Sequence, residues 1–201
     1  NIFVVSGNSF NYIKAGNLNL KLLLPYLIGS IPLAFFGGSL QIDKNLFEIF
    51  LFIVLTLAGT LLLINFKSYD DNESTYRNIP IFISVIIGAI LGFVSGVVGV
   101  GGGIFLSPIL FLIKAAKPKH IVTAASLFIF INSISGVIGQ LTKNIVLSDI
   151  SNYWYLFLIV IIGGHIGNYL NLKIFPTRFL ALITSVLVLF VAIRIGIKLF
   201  L

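Results

Sequence analysis

Gly99, Gly101, Gly102 and Gly103 crowd together, and Pro108 follows them. A glycine costs up to about 1 kcal/mol in a helix interior, so the run favours an unwound stretch of backbone. Its freed amides, and the N-terminus of a new helix from about Ile104, would suit an anion, because unpaired N–H groups and the helix dipole both present positive charge. Two other glycine-rich chemistries do not fit. No G-x-G-x-x-G register with a preceding strand and a following acid is present, which removes dinucleotide binding, and no Gly-Lys-Ser/Thr follows, which removes a phosphate loop.

A second group of polar residues follows: Thr123, Ser126, Asn132 and Ser133. At about 100° per residue, Ser126 and Ser133 share a helix face and Asn132 lies nearby. An asparagine in an apolar helix must find partners. Those are either neighbouring helices, through hydrogen bonds averaging about 0.6 kcal/mol, or a bound substrate. Thr123, Ser126 and Asn132 are candidate substrate contacts, together with Gly99, Gly101, Gly102, Gly103 and Pro108; Ser133 is read as a packing residue. His165 stands in the middle of an apolar run and is the candidate for proton coupling. A neutral His165 bonded to a backbone carbonyl is the alternative.

The inventory for covalent chemistry is poor. There is no cysteine, there are two histidines, and no acidic residue lies deep in an apolar run. Thiolate nucleophiles, metal clusters and carboxylate pairs all lack their parts. No catalytic residue, metal or cofactor is expected. The missing carboxylates also favour an anionic over a cationic substrate.

The elements that carry these residues follow from composition. The 201 residues are 58% hydrophobic and 9% charged, with a mean hydropathy of +1.12. Soluble domains carry about 25% charged residues, and this chain could not cover its apolar surface in water. It belongs in a membrane. The net charge of +7 is spread over short loops, as beside lipid headgroups, and no continuous patch suggests nucleic acid.

A hydrocarbon core of about 30 Å takes roughly 20 apolar residues as a helix. Apolar runs of that kind occur at 20–40, 46–66, 79–98, 121–142, 153–172 and 177–200, with a shorter one at 1–13. No charge occurs between 79 and 113, too long a stretch for one crossing, and the glycine run is where it breaks. Gly88, Gly92 and Gly96 recur every four residues and predict a flat helix stripe for close backbone approach. Residues 67–78 are polar and read as a linker; they include Asn72-Glu-Ser74, a glycosylation-type pattern. Orientation stays open. With 79–113 as one crossing, alternate faces collect seven and six Lys plus Arg, and a re-entrant half-helix at 103–113 changes the count.

The chain also repeats weakly. Aligning Asn17 with Asn144 places Phe3 on Phe130 and Ser6 on Ser133. Each is followed by a helix with small residues (Gly29, Ser30, Gly37 and Gly38; then Gly163, Gly164 and Gly167), a polar turn and a final apolar helix. The expected fold is an all-α polytopic transmembrane bundle of two related four-helix repeats. Residues 1–66 form the first, lacking its opening segment; 67–78 link; and 79–201 form the second, with the glycine-broken helix. The repeat predicts the missing glycine-rich segment upstream of Asn1. Internal repeats are common in secondary transporters.

GFVSGVVGVGGGIFLSPIL, a short polar turn, and then TAASLFIFINSISG resemble the sulfite exporter TauE/SafE family of membrane permeases. The resemblance is strong over 86–140 and loose elsewhere. It implies two copies of a four-helix unit, each opening on a glycine-rich, proline-ended segment. It also implies a multi-pass protein of the plasma membrane that moves a small anion such as sulfite, a sulfonate or a related sulfur-containing or organic oxyanion. The expected partners are that anion and the lipid bilayer; a homo-oligomer is open. The competing reading is a membrane-embedded structural or assembly subunit without transport activity.

Overall fold

The computed structural model describes residues 2–65, 77, 79–99, 103–143, 154–173 and 177–200. They form α1 (Ile2–Lys14), α2 (Leu20–Ser39), α3 (Lys44–Asn65), α4 (Ile81–Val98), α5 (Gly103–Leu112), α6 (Pro118–Leu141), α7 (Trp154–Lys173) and α8 (Thr177–Phe200). Among the described residues no strand occurs. Apart from Arg77, the linker expected at 67–78 lies outside them, as does Asn72-Glu-Ser74.

Local chemistry sets the helix ends. Asn19 caps α2 by accepting a hydrogen bond at Oδ1 from the Leu22 amide, 3.2 Å away. Pro118 opens α6, where its missing N–H costs nothing. After α1, Gly16 turns left-handed with φ +72°. The Asn17 amide then reaches back to the Tyr12 carbonyl, and the Gly16 amide to that of Ile13. The same pair of bonds closes α5, from Ala115 to Leu110 and from Lys114 to Phe111.

Helices α2, α3, α4 and α6 and the Leu182–Leu199 part of α8 are long and apolar enough to cross a membrane. Large apolar side chains such as Phe82, Ile64 and Phe190 are exposed. Such a surface would drive aggregation in water, but lipid solvates it. The protein is an integral membrane helix bundle.

Helices α2, α4 and α6 run parallel and are locked by glycine. A Cβ on Gly88, Gly92 or Gly96 would overlap the main chain of Tyr26, Ser30 or Ala34; one on Gly29 would overlap that of Val85. On the other side of α2, Gly38 meets Gly136 and Gly139 meets Phe35. The Ser135 hydroxyl donates to the Ile31 carbonyl across the same interface, at 2.7 Å. The stripe at 88, 92 and 96 therefore packs helices, as its period predicts. A second pair, α3 and α8, runs antiparallel: Gly59 faces Leu189, Gly196 faces Phe52, and Lys198 pairs with Glu48. That ion pair is exposed on its lysine side, so Glu48→Gln should cost less than about 1 kcal/mol in detergent unfolding. A larger loss would mean that the pair holds the two helices together.

The stretch 79–113 turns back rather than crossing. Helix α5 has 10 residues, about 15 Å, half of a hydrocarbon core. The Arg77 amide donates to the Lys114 carbonyl at 3.1 Å, so the chain leaves α5 on the face where it began α4. This decides the count of charges. Lys14, Lys21, Arg77, Lys114, Lys117 and Lys119 gather at that face. Lys44, Lys143, Arg194 and Lys198 mark the opposite end. The positive-inside rule puts the first face in the cytoplasm. The chain has no native cysteine. Lys117→Cys and Gln41→Cys should therefore react with a membrane-impermeant thiol reagent from opposite sides of oriented vesicles. Labelling of both from one side would overturn the re-entrant topology.

Candidate functional site

The break between α4 and α5 is built on one glycine conformation. Gly99 caps α4 with φ +73° and ψ 11°, and its amide donates to the Ser95 carbonyl at 2.8 Å. A β-substituted residue would be strained there. Gly101 and Gly102 lie outside the described residues, and Gly103 begins α5. Pro108 is inside α5 and fully buried. Its neighbours Phe105, Leu106, Leu110 and Phe111 belong to the core with Phe128 of α6. Helix α5 packs between α6 and α3, so the re-entrant arm is shielded from lipid by protein on those sides, as backbone at membrane depth must be.

The polar residues of α6 occupy different depths. Asn132 lies close to the middle of α6 and is 1% exposed. Its Nδ2 donates to the Phe128 carbonyl at 2.9 Å, while its Oδ1 has no partner. A buried amide oxygen left alone costs about 1–3 kcal/mol. Thr123 is also fully buried, but its hydroxyl bonds within the helix, to the Lys119 carbonyl at 2.7 Å. Ser126 is half-buried. A Cβ at Gly99 would lie 4.0 Å from Nε2 of Gln140, near the far end of α6. Along the helix axis Gln140 is about 12 Å beyond Asn132, and Thr123 about 14 Å before it. The candidates are thus spread along α6 rather than gathered at one compact point. His165 lies within α7, and its side chain is outside the description.

Sequence reasoning passed over one feature. Between the first turns of α2 and α4 there is a cavity of about 240 Å³, lined by Asn19, Lys21, Tyr26, Arg77 and Ser84 among apolar neighbours. Tyr26 is 1% exposed and stands in the cavity wall with Ser84. Lys21 and Arg77 are 56 positions apart in the sequence, where each reads as a loop charge beside lipid, and no local pattern marks the place. Among the described residues no group of three His, Asp or Glu side chains could hold a metal ion.

The family model described as Sulfite exporter TauE/SafE matches residues 1–195. Probable membrane transporter protein MJ0441 of Methanocaldococcus jannaschii is 29% identical over 205 residues, covering 92% of this chain and 73% of the relative. Probable membrane transporter protein y4hK of Sinorhizobium fredii is 24% identical over 190 residues, covering 94% and 76%. Probable membrane transporter protein YunE of Bacillus subtilis is 24% identical over 208 residues, covering 94% and 74%. No solved structure matches the chain.

Proposed function

The chain belongs to the sulfite exporter TauE/SafE family, and from that premise we propose that it is a secondary transporter for a small anion rather than an enzyme. The class of anion is sulfite, a sulfonate or a related sulfur-containing or organic oxyanion. The observation that carries this reading is the re-entrant α4–α5 unit, whose two ends share one face through Arg77 and Lys114. Such a unit brings the N-terminus of α5 to the break, and a helix N-terminus attracts negative charge. Gly99, Gly101, Gly102 and Gly103 are its substrate contacts in this reading, and Pro108 belongs to the returning arm. Asn132, with an unused oxygen near mid-depth, orders water or the substrate's protonated form; Thr123 and Ser126 continue the path toward the cytoplasm. His165 carries the coupling proton. The membrane is the plasma membrane.

The order of packing also supports the two-repeat reading. Helix α1 packs on α6 and α3 on α8, the pairs that a two-fold relation between 1–66 and 79–201 would bring onto its axis. The small residues of α2 bury α4, whereas Gly163 and Gly167 of α7 have nothing within 4 Å.

Purified protein in vesicles should move labelled sulfite or a sulfonate down its gradient, at a rate above that of empty vesicles. No anion flux across several candidates would leave the structural-subunit reading. Asn132→Leu should lower transport about ten-fold or more without lowering thermal stability, since it removes an orphaned oxygen. Unchanged transport would make Asn132 a packing residue.

A further inference from the structure

The cavity between α2 and α4 is separate from the broken helix and lies at the opposite, cytoplasmic end of the bundle. Among the described residues its lining carries two cationic side chains, Lys21 and Arg77, and no carboxylate. Neither cation is buried, so both reach water at its mouth. The two helices that wall it run parallel and begin there, so their positive dipole ends add. Helix α4 starts after Pro80, which offers no side-chain cap, so its first amides remain open to a ligand. Asn19, Ser84 and the buried Tyr26 add neutral polar groups to the wall. Leu22, Pro25, Ile79 and Ile81 keep the remainder apolar. A cavity of about 240 Å³ falls just below the range of drug-sized sites and suits a small ion with a short organic tail.

We propose that this cavity is a cytoplasmic vestibule that binds a small oxyanion, with Lys21 and Arg77 as its charged ligands. The identification of the oxyanion with the transported substrate rests on the anion-permease reading above. The vestibule concentrates the anion at the mouth before it meets the broken helix. Its contribution is to binding, so losing it weakens apparent affinity and leaves turnover at saturation unchanged. The arm of α5 is tied to the same rim through the Arg77–Lys114 backbone bond, so the vestibule and the re-entrant unit share a wall at Ala115.

A phosphate headgroup offers the same chemistry as a free oxyanion, and the test separates the two. Ile79→Cys places a lone thiol in the cavity wall of a chain that has no other cysteine. Labelling by a negatively charged thiol reagent in zwitterionic vesicles should be slowed by methanesulfonate, which does not attack thiol reagents. Adding Lys21→Gln and Arg77→Gln should abolish that protection, and Lys21→Arg should retain it. In the same background, the double variant should raise KM for the anion about ten-fold or more with little change in kcat. Protection without any transport by the parent protein would sink the permease reading and leave the anion site standing. No protection by methanesulfonate, or the same protection in the double variant, would overturn the site. Protection by anionic phospholipid alone would assign the cavity to a headgroup and overturn the substrate vestibule.

Discussion

Gly92→Leu is expected to leave little correctly folded protein. The glycine lies where α4 presses on the main chain of Ser30 in α2, and an added Cβ would overlap the Ser30 carbonyl oxygen, Cα and Cβ. The obstacle is backbone, which cannot rotate aside as a long side chain can. Accommodation needs α2 and α4 to separate, and Gly88 and Gly96 one turn to either side hold them equally close. Separation would also pull α2 from α6, where Gly38 and Gly139 make similar approaches to the main chain of Gly136 and Phe35. Overpacking in a closed core costs typically about 1–3 kcal/mol and sometimes more, and a backbone clash at the centre of a three-helix contact belongs at the upper end. The measurement is the monodisperse fraction in mild detergent and the midpoint of denaturant unfolding. Gly163→Leu is the control, because nothing stands within 4 Å of that position, and its cost should remain within about 0.5 kcal/mol. Equal stability of the two variants would refute the parallel register of α2 and α4.

Gly99→Leu is expected to insert and fold but to lose transport by about ten-fold or more. Its logic is opposite to that of Gly92. Among the described residues the nearest atom to an added Cβ is 4.0 Å away, which leaves room for a side chain. What leucine cannot easily do is hold φ +73°, at a cost of about 1–2 kcal/mol. The strain falls on the joint between α4 and α5, so the first turn of α5 and the amides before it shift while the packed triplet stays. Gly99→Asn should retain more activity than leucine, because asparagine tolerates the left-handed region. Gly102→Leu, in the segment beyond the described residues, should abolish flux without loss of insertion. Wild-type rates in Gly99→Leu and Gly102→Leu would move the site away from the broken helix. Substitution of His165 by alanine should flatten the pH dependence of transport if that residue carries the coupling proton; an unaltered profile would remove it from the mechanism.

Much of this protein was legible in its residues because lipid imposes few choices. Apolar length alone marks the crossings, and the helices α2, α3, α4, α6 and α8 fall within a few residues of the runs at 20–40, 46–66, 79–98, 121–142 and 177–200. The glycine period at 88, 92 and 96 marked a packing face, since only small residues every fourth position let two backbones meet. The break at Gly99 was legible because glycine and proline punish a continuous helix. Burial of Asn132 was also expected, though the orphaned state of its oxygen was not, because hydrogen bonding depends on neighbours that the sequence does not name.

The broken segment shows where sequence reading stops. Residue types at 99–108 determined that the helix must be interrupted, and the family resemblance attached a function to the interruption. Whether the chain then went on across the bilayer or turned back was undetermined, since both paths use the same local conformations. The tertiary structure decided it through one long-range contact, the Arg77 amide on the Lys114 carbonyl. That contact sets which charges share a face, and so it makes a biased, orientable protein from a balanced list of loops. It also brings Lys21 and Arg77 to one cavity. Local preference along a chain specifies helices and their breaks; adjacency between distant segments comes from packing, and the charge pattern around a site belongs to that adjacency.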